Sequence, residues 1–259
     1  MAVDLEVRST KKARKSALDR DVAMTLAATE YDRVVTMFKD FTVEQWAMST
    51  DCPGWDVRAM AGHMLGMAQM VATLPELIRQ QATSQRSAKK NGGVSIDSLT
   101  ALQVAKNANL TAGELVENMG RVAPRAVRGR RRVPAIILNR RMPEAQGVGG
   151  QLELWTFGYL FDVILTRDPF MHRLDITQAT GVPMRATADH EGVLVDDIVR
   201  EWAGRHGREF SLELSGPAGG TWARVLVSAW RWMPSSSVAS SQAGSQRRAC
   251  SQSRFRFDR

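Results

Sequence analysis

Apolar residues recur every three or four positions in four helix-length segments, which predicts four amphipathic helices. The first segment runs from Asp21 to about Met48, with apolar positions at Val22, Leu26, Tyr31, Val35 and Phe38. A Pro-Gly turn then precedes the second, which opens after Asp56, a residue type favoured as an N-cap. Its buried stripe is predicted to be Val57, Met60, Met64, Met67 and Val71.

The third predicted helix runs from about Ser98 to Arg121, and the fourth helical region lies between Gly149 and Pro183. The polar stretch TSQRSAKKNGGVSID before the third helix predicts a loop, because it contains glycines and few apolar residues. The basic segment after Arg121 carries three prolines, which predicts irregular structure. Four such helices with variable connections predict a mainly α fold, a four-helix bundle.

The pattern changes after Pro183. HEGVLVDDIVREWAGRHG predicts one more helix, and REFSLELSGPAGGTW alternates apolar and polar residues like a strand entering a turn. We therefore predict a basic, flexible N-terminus over residues 1–20, the bundle over 21–182, a small and incomplete α/β domain over 183–233, and a tail over 234–259. The tail is rich in Ser, Gln and Arg without periodicity, which predicts disorder.

Composition narrows the class of protein. The 259 residues are 44% apolar, which is ordinary for a globular domain, and two cysteines are too few for a disulfide framework. The absence of a long apolar run and of a signal-peptide pattern predicts a cytoplasmic protein without a membrane partner. The net charge of +8 lies mainly in the two termini and in Arg121–Arg141. This distribution argues against a nucleic-acid partner, and binding through Arg125 to Arg141 is kept only as a weaker alternative.

Three residues could form a catalytic metal site. Asp168 and His172, in the stretch TRDPFMHRLD, are four residues apart and share a helix face, while His63 borders the buried stripe of the second helix. Each also has a plain explanation: either histidine could be a hydrogen-bonded core residue, and Asp168 could cap a helix that begins at Pro169. Together, two imidazole nitrogens and one carboxylate oxygen match the ligands of catalytic zinc.

A site with three protein ligands leaves a position open for another molecule. The bound ion could convert a thiol to a thiolate or polarise a carbonyl group, so no catalytic residue beyond the metal site is required. The two other histidines, His190 and His206, are predicted to lie on the surface.

Three motifs resemble one known family. CPGWDVRAMAGHMLG (Cys52 to Gly66) and GYLFDVILTRDPFMHRLDITQATG (Gly158 to Gly181) resemble the two signatures of the mycothiol-dependent maleylpyruvate isomerase family, part of the DinB-like superfamily. EWAGRHGREFSLELSGPAGGTW (Glu201 to Trp222) resembles the opening of that family's sterol-carrier-like C-terminal domain. The resemblance implies a DinB-like bundle whose metal ligands match His63, Asp168 and His172. Asp168 stands where the characterised family member carries glutamate, so an ion would sit closer to this backbone or be held less symmetrically.

The resemblance also implies a function. The protein would use a divalent ion, zinc first of all, and mycothiol in isomerase or thiol-transferase chemistry on a small electrophile. It would act as a monomer or homodimer. Trp55, Arg58 and Arg173 flank the motifs and are predicted to bind the thiol or the substrate. Asp175 is predicted to accept a hydrogen bond from a ligand histidine.

Two further hypotheses follow from the sequence. The first is a non-catalytic bundle that binds a metal or a small ligand, because the C-terminal domain departs from the family. The second concerns the segment from Ala249 to Phe257, whose composition fits translation of an apolar ending in a shifted reading frame. The encoding DNA tests that idea, since an alternative frame without a family-like ending removes it.

Overall fold

A computed structural model describes residues 12–148 and 151–225 of the chain. Its helices are α1 (Arg20–Lys39), α2 (Val43–Trp46), α3 (Val57–Ala72), α4 (Leu74–Asn91), α5 (Ser95–Asn107), α6 (Ala112–Arg131), α7 (Ala135–Leu138), α8 (Phe157–Tyr159), α9 (Leu165–Thr180) and α10 (Glu191–His206). A π-helical turn, Leu160–Ile164, joins α8 to α9. The strands are β1 (Gln146–Val148), β2 (Gln151–Glu153), β3 (Phe210–Leu214) and β4 (Gly220–Arg224), paired as two antiparallel hairpins.

Four helices, α1, α3, α6 and α9, form a closed ring in which each contacts two neighbours. This arrangement confirms the predicted mainly α fold with a four-helix bundle. Asp56 caps α3 by accepting a hydrogen bond from the Ala59 amide at 2.7 Å, as predicted. The core inside the ring is largely aliphatic and thioether, and includes Met24, Met60, Met64, Leu65, Leu115, Met119 and Ile176. No helix in the described ranges has the length and apolarity needed to cross a membrane.

The stretch predicted as a loop before the third helix is helical, and this prediction was wrong. Most of it belongs to α4, which with α5 forms a pair of helices on the outer side of α3. The buried stripe of α4 consists of Gln80, Ser84 and Ala88, so apolar periodicity does not reveal it. Gln80 instead donates to the Gly66 carbonyl at 3.1 Å and accepts from Gln103 at 3.0 Å, which satisfies its buried amide.

The third bundle helix is α6, and its predicted range was also wrong. It begins fourteen positions later than Ser98 and continues through the basic, proline-containing segment to Arg131. Pro124 is tolerated because it lies on the exposed face, while the stripe Leu115, Met119, Ala123, Ala126 and Arg130 faces inward. At Gly129 an added Cβ would lie 2.1 Å from the Val71 carbonyl oxygen, so glycine allows α6 and α3 to approach closely.

Helix α10 is joined to the bundle by buried ion pairs. Arg173 of α9 donates to Glu30 of α1 and, at 2.6 Å, to Glu191 of α10. His190 lies 2.6 Å from Glu30 and is buried, so its predicted surface position was wrong: the packing of α10 against α1 covers it. His206, at the end of α10, is partly exposed. Within the described residues, the C-terminal unit consists of α10 and the β3–β4 hairpin.

The segment before α1 contacts the bundle instead of extending away from it. The Arg14 amide donates to the Leu154 carbonyl at 2.7 Å, and its guanidinium forms two hydrogen bonds to Glu153. Part of the segment that was predicted to be flexible therefore contacts the rest of the protein, while residues 1–11 lie outside the described ranges. The predicted tail over 234–259 and the frameshift hypothesis also lie outside them.

Replacement of Arg173 by methionine should destabilise the protein by about 3–5 kcal/mol, because two buried carboxylates lose their cation. Urea unfolding monitored by circular dichroism measures the difference. Arg200→Met is the matched control, since its pair with Asp196 is exposed and should change stability by less than about 1 kcal/mol. Equal effects of the two substitutions would contradict the assignment of Arg173 to a buried network.

Replacement of Glu153 by glutamine should destabilise the protein at neutral pH by about 1–3 kcal/mol. Burial alone would raise the pKa of Glu153, but hydrogen bonds from Arg205, Arg14 and Trp155 lower it from 4.5 to about 2. The carboxylate therefore stabilises the fold fully above pH 4.5, and that contribution disappears as the pH falls towards 2. Unfolding measured from pH 7 to pH 2 should show the wild-type advantage shrinking in that window. An advantage that does not depend on pH contradicts the assignment.

Candidate metal centre

Three side chains from two facing helices converge inside the bundle. Nε2 of His63, on α3, lies 3.8 Å from Oδ1 of Asp168, and Nε2 of His172 lies 3.5 Å from the same oxygen. The two imidazole rings are 5.0 Å apart and perpendicular. The structure thus brings together all three residues that the sequence singled out as ligands.

A tight turn places an aromatic wall beside His63. Pro53 and Gly54 occupy the centre of a turn closed by a 3.0 Å hydrogen bond from the Trp55 amide to the Cys52 carbonyl. Gly54 has φ of +79°, which its lack of a side chain permits. The turn places Trp55 directly before α3, with its ring 5.2 Å from the His63 ring.

Asp168 lies inside a helix and does not cap one, so that alternative was wrong. The continuous helical segment starts at Phe157, where Thr156 is the N-cap. It passes through the π-helical turn and then through Pro169, which α9 contains in its interior. Because Asp168 and His172 are four residues apart on this helix, both side chains face His63.

The charges in the cluster stabilise one another. Burial alone would raise the pKa of Asp168, but the charge and hydrogen bonding of His172, with a smaller effect of His63, lower it well below its usual range. Burial would lower the pKa of His172, whereas Asp168 and then Asp175 raise it to about 9. At neutral pH the carboxylate is therefore ionised and His172 is protonated, so a cation that binds here has to displace the proton of His172.

The geometry fits a divalent ion with nitrogen and oxygen ligands. Ligand atoms of a tetrahedral zinc ion, each about 2.0–2.1 Å from the metal, lie roughly 3.3–3.4 Å apart. The distances of 3.5 and 3.8 Å between Nε2 and Oδ1 need only small side-chain adjustments to reach this spacing. Nδ1 of His63 is buried without a hydrogen-bond partner in the described structure. The residues present could therefore hold the ion through both Nε2 atoms and Asp168.

A second cluster has similar donors but a different charge balance. Glu30, His190 and Glu191 also bring their ligand atoms within 4.8 Å of one another. Here Arg173 and Arg33 already pair with the two carboxylates, so the buried charges balance without an ion. Among the described residues, by contrast, Asp168 forms ion pairs only with the two histidines. The second cluster is a structural network, and the first is the candidate metal centre.

The remaining predicted site residues lie in different environments. Asp175 lies 3.5 Å from Nδ1 of His172, although the contact lacks hydrogen-bond alignment. Arg58 donates to the Leu110 carbonyl, in the connection before α6. Arg173, which was predicted to bind the thiol or the substrate, is buried and donates to two buried carboxylates, those of Glu30 and Glu191. Arg167 is likewise buried and pairs with Asp197 and Glu201.

Sequence reasoning missed the residues behind the site. Arg130 is fully buried, with hydrogen bonds to the Leu165 carbonyl at 3.2 Å and to the Thr166 hydroxyl. Burial raises the pKa of Tyr31, and the Asp168 charge adds to the shift while Arg130 opposes it. Arg130 continues the inward stripe of α6 four residues after Ala126, a signal that was hidden because this segment was interpreted as irregular.

A family model described as the mycothiol maleylpyruvate isomerase N-terminal domain matches residues 27–177. Two similar solved structures are the mycothiol-dependent maleylpyruvate isomerase and a mutant of it with one histidine replaced by alanine. They share 14% and 13% identity with the chain, and each has a TM-score of 0.48. Each match covers 73% of this chain and 69% of the other. No curated protein sequence matches the chain significantly.

Proposed function

Because the chain belongs to the family of the mycothiol maleylpyruvate isomerase N-terminal domain, we propose that it is a metal-dependent enzyme using a low-molecular-weight thiol. Mycothiol is the proposed thiol and zinc the proposed ion. The substrate would be a small electrophile such as maleylpyruvate, and the reaction an isomerisation or a thiol transfer. The single observation that carries this proposal is the convergence of His63, His172 and Asp168 on one point.

A divalent ion bound there would supply Lewis-acid chemistry, lowering the pKa of a thiol that reaches its open position. Cis–trans isomerisation of a conjugated acid needs a nucleophile that adds to the double bond and leaves after rotation about the resulting single bond. Thiol transfer needs the same addition without the return step. One nucleophile site therefore serves both reactions.

The protein's own residues orient the ligand set. The two histidines would act as neutral ligands through Nε2, and Asp168 would supply the negative charge. Asp175 would accept a hydrogen bond from Nδ1 of His172 after a small rotation, which fixes the ring orientation and increases the basicity of Nε2. Trp55 would restrict water beside His63. Arg58 is proposed as a more distant contact for an anionic thiol or substrate.

Zinc binding should depend on all three proposed ligands. His63→Ala and His172→Ala should each weaken zinc binding by more than about a hundredfold, because loss of even an outer-shell partner costs about 10- to 100-fold. Asp168→Asn, which keeps the shape but removes the charge, should weaken it at least tenfold. Isothermal titration of chelator-treated protein measures each affinity. His206→Ala is the control histidine substitution, and an unchanged affinity in His63→Ala would refute the site.

Turnover should require the thiol and the metal together. Purified protein with mycothiol should convert maleylpyruvate to its trans isomer, and chelation or omission of the thiol should abolish the conversion. His63→Ala and His172→Ala should lose activity in parallel with zinc, while His206→Ala should retain it. Disappearance of the substrate absorbance, followed with time, provides the measurement.

The same experiment separates the proposal from the alternative of a non-catalytic bundle. Zinc and thiol binding without turnover of maleylpyruvate, and without thiol addition to simple electrophiles, favours a binding protein. Turnover that is indifferent to His63 and His172 contradicts the proposed site itself.

A further inference from the structure

The guanidinium of Arg130 is buried in the bundle without an ion-pair partner among residues 12–148 and 151–225. The nearby carboxylate of Asp162 is held by Arg20 at 2.8 Å. Burial of a charged group costs several kcal/mol unless strong interactions compensate for it. Arg130 interacts with the Tyr31 hydroxyl of α1 and donates hydrogen bonds to two groups of α9, the Leu165 carbonyl and the Thr166 hydroxyl.

The Leu165 carbonyl needs a donor because of Pro169. In a regular helix this carbonyl would accept a hydrogen bond from the amide four residues later, but proline has no N–H. The π-helical turn Leu160–Ile164 ends immediately before this point, so the helix is irregular on both sides. Nη1 of Arg130 donates to Leu165 O at 3.2 Å and replaces the missing bond from outside the helix.

We propose that Arg130 is a positioning residue for the metal centre: it clamps the proline-broken turn of α9 and thereby fixes where the Asp168 carboxylate lies. The inference rests on the proposed function, since it concerns the same ligand set. The two groups of α9 that Arg130 binds, at Leu165 and Thr166, precede Asp168 by three and two residues. Nη2 bonds the Thr166 hydroxyl, which also contacts the Ala23 carbonyl of α1 at 3.5 Å.

Because the side chain of Asp168 is short, the position of its backbone determines where its carboxylate lies. Aspartate has two side-chain torsions, so a displacement of its backbone is passed almost directly to Oδ1. Metal ligands must be held within about 0.5 Å of the productive geometry. An ordinary helix would fix this turn through its own hydrogen bonds, whereas here one of those bonds comes from α6. Arg130 therefore couples the position of α6 to the ligand carried by α9.

Arg130→Met keeps the apolar stem and removes the clamp, and it should weaken zinc binding about 10- to 100-fold, the range typical of residues that orient ligands. Arg130→Lys keeps the charge but not the two donor nitrogens of the guanidinium. Its zinc affinity should lie between those of Arg130→Met and the wild type. Thr166→Val removes one acceptor with little change in shape and gives a second test if Arg130→Met does not fold. Arg128→Met, an exposed arginine of the same helix, is the matched control.

Rescue by a second substitution separates positioning from general stability. In Arg130→Met, replacing Pro169 with alanine restores an amide that can bond the Leu165 carbonyl, and zinc affinity should recover at least in part. The visible spectrum of the cobalt(II)-substituted protein reports ligand geometry independently of activity. It should change in Arg130→Met, remain unchanged in Arg128→Met, and return towards the wild-type form with Pro169→Ala.

The outcomes are distinct. Folded Arg130→Met or Thr166→Val that binds zinc with wild-type affinity and shows an unaltered cobalt spectrum overturns the positioning role, even if its unfolding midpoint falls. Loss of affinity without recovery in the Pro169→Ala background also overturns the clamp mechanism. If wild-type protein binds neither zinc nor cobalt, the proposed function fails together with the inference.

Discussion

The candidate site depends on one carboxylate that two imidazoles share. Oδ1 of Asp168 lies within 3.8 Å of Nε2 of both His63 and His172. The charge and hydrogen bonding of His172, with a smaller effect of His63, outweigh burial and keep the pKa of this carboxylate well below its usual range. Without Asp168, the buried His63 and the half-buried His172 would face each other without a carboxylate between them. The other helices of the ring hold α3 and α9 at the distance that brings Oδ1 of Asp168 close to both histidines.

Three buried arginines connect α9 to neighbouring helices. Arg173 ties it to α1 and α10, Arg167 ties it to α10, and Arg130 supports it from α6. Arginine suits this purpose because its planar fork can satisfy two acceptors at once. The same chemistry explains why two clusters of similar composition differ in charge balance. Glu30 and Glu191 are neutralised by arginines, which keep their protons, whereas Asp168 pairs with two histidines, which can exchange a proton for a metal ion.

The prediction from sequence was most accurate where apolar periodicity coincided with capping signals. The end of α9 at Gly181, which has φ of +70°, was located correctly for that reason. The stripe after Asp56 was also correct, except that Met67 is only partly buried. Prediction failed for α4, whose buried stripe is formed by Gln80 and Ser84, since apolar periodicity does not detect a polar stripe stabilised by tertiary hydrogen bonds. It failed again for α6, because Pro124 and the arginines indicated a break, although all of them except the buried Arg130 lie on the solvent-facing side.

The sequence alone determined the helical class, the candidate ligands and the resemblance of the two bundle motifs to one family, because spacing along a helix and donor chemistry are local properties. Only the tertiary structure decided that His63 lies against the helix face that carries Asp168 and His172. It also decided that Arg173 forms ion pairs with Glu30 and Glu191. It also decided that Arg130 takes the place of the hydrogen bond lost at Pro169. Such pairings join residues of different helices that are at least 18 positions apart in the chain. They follow from how the helices pack, which periodicity within a single segment does not specify.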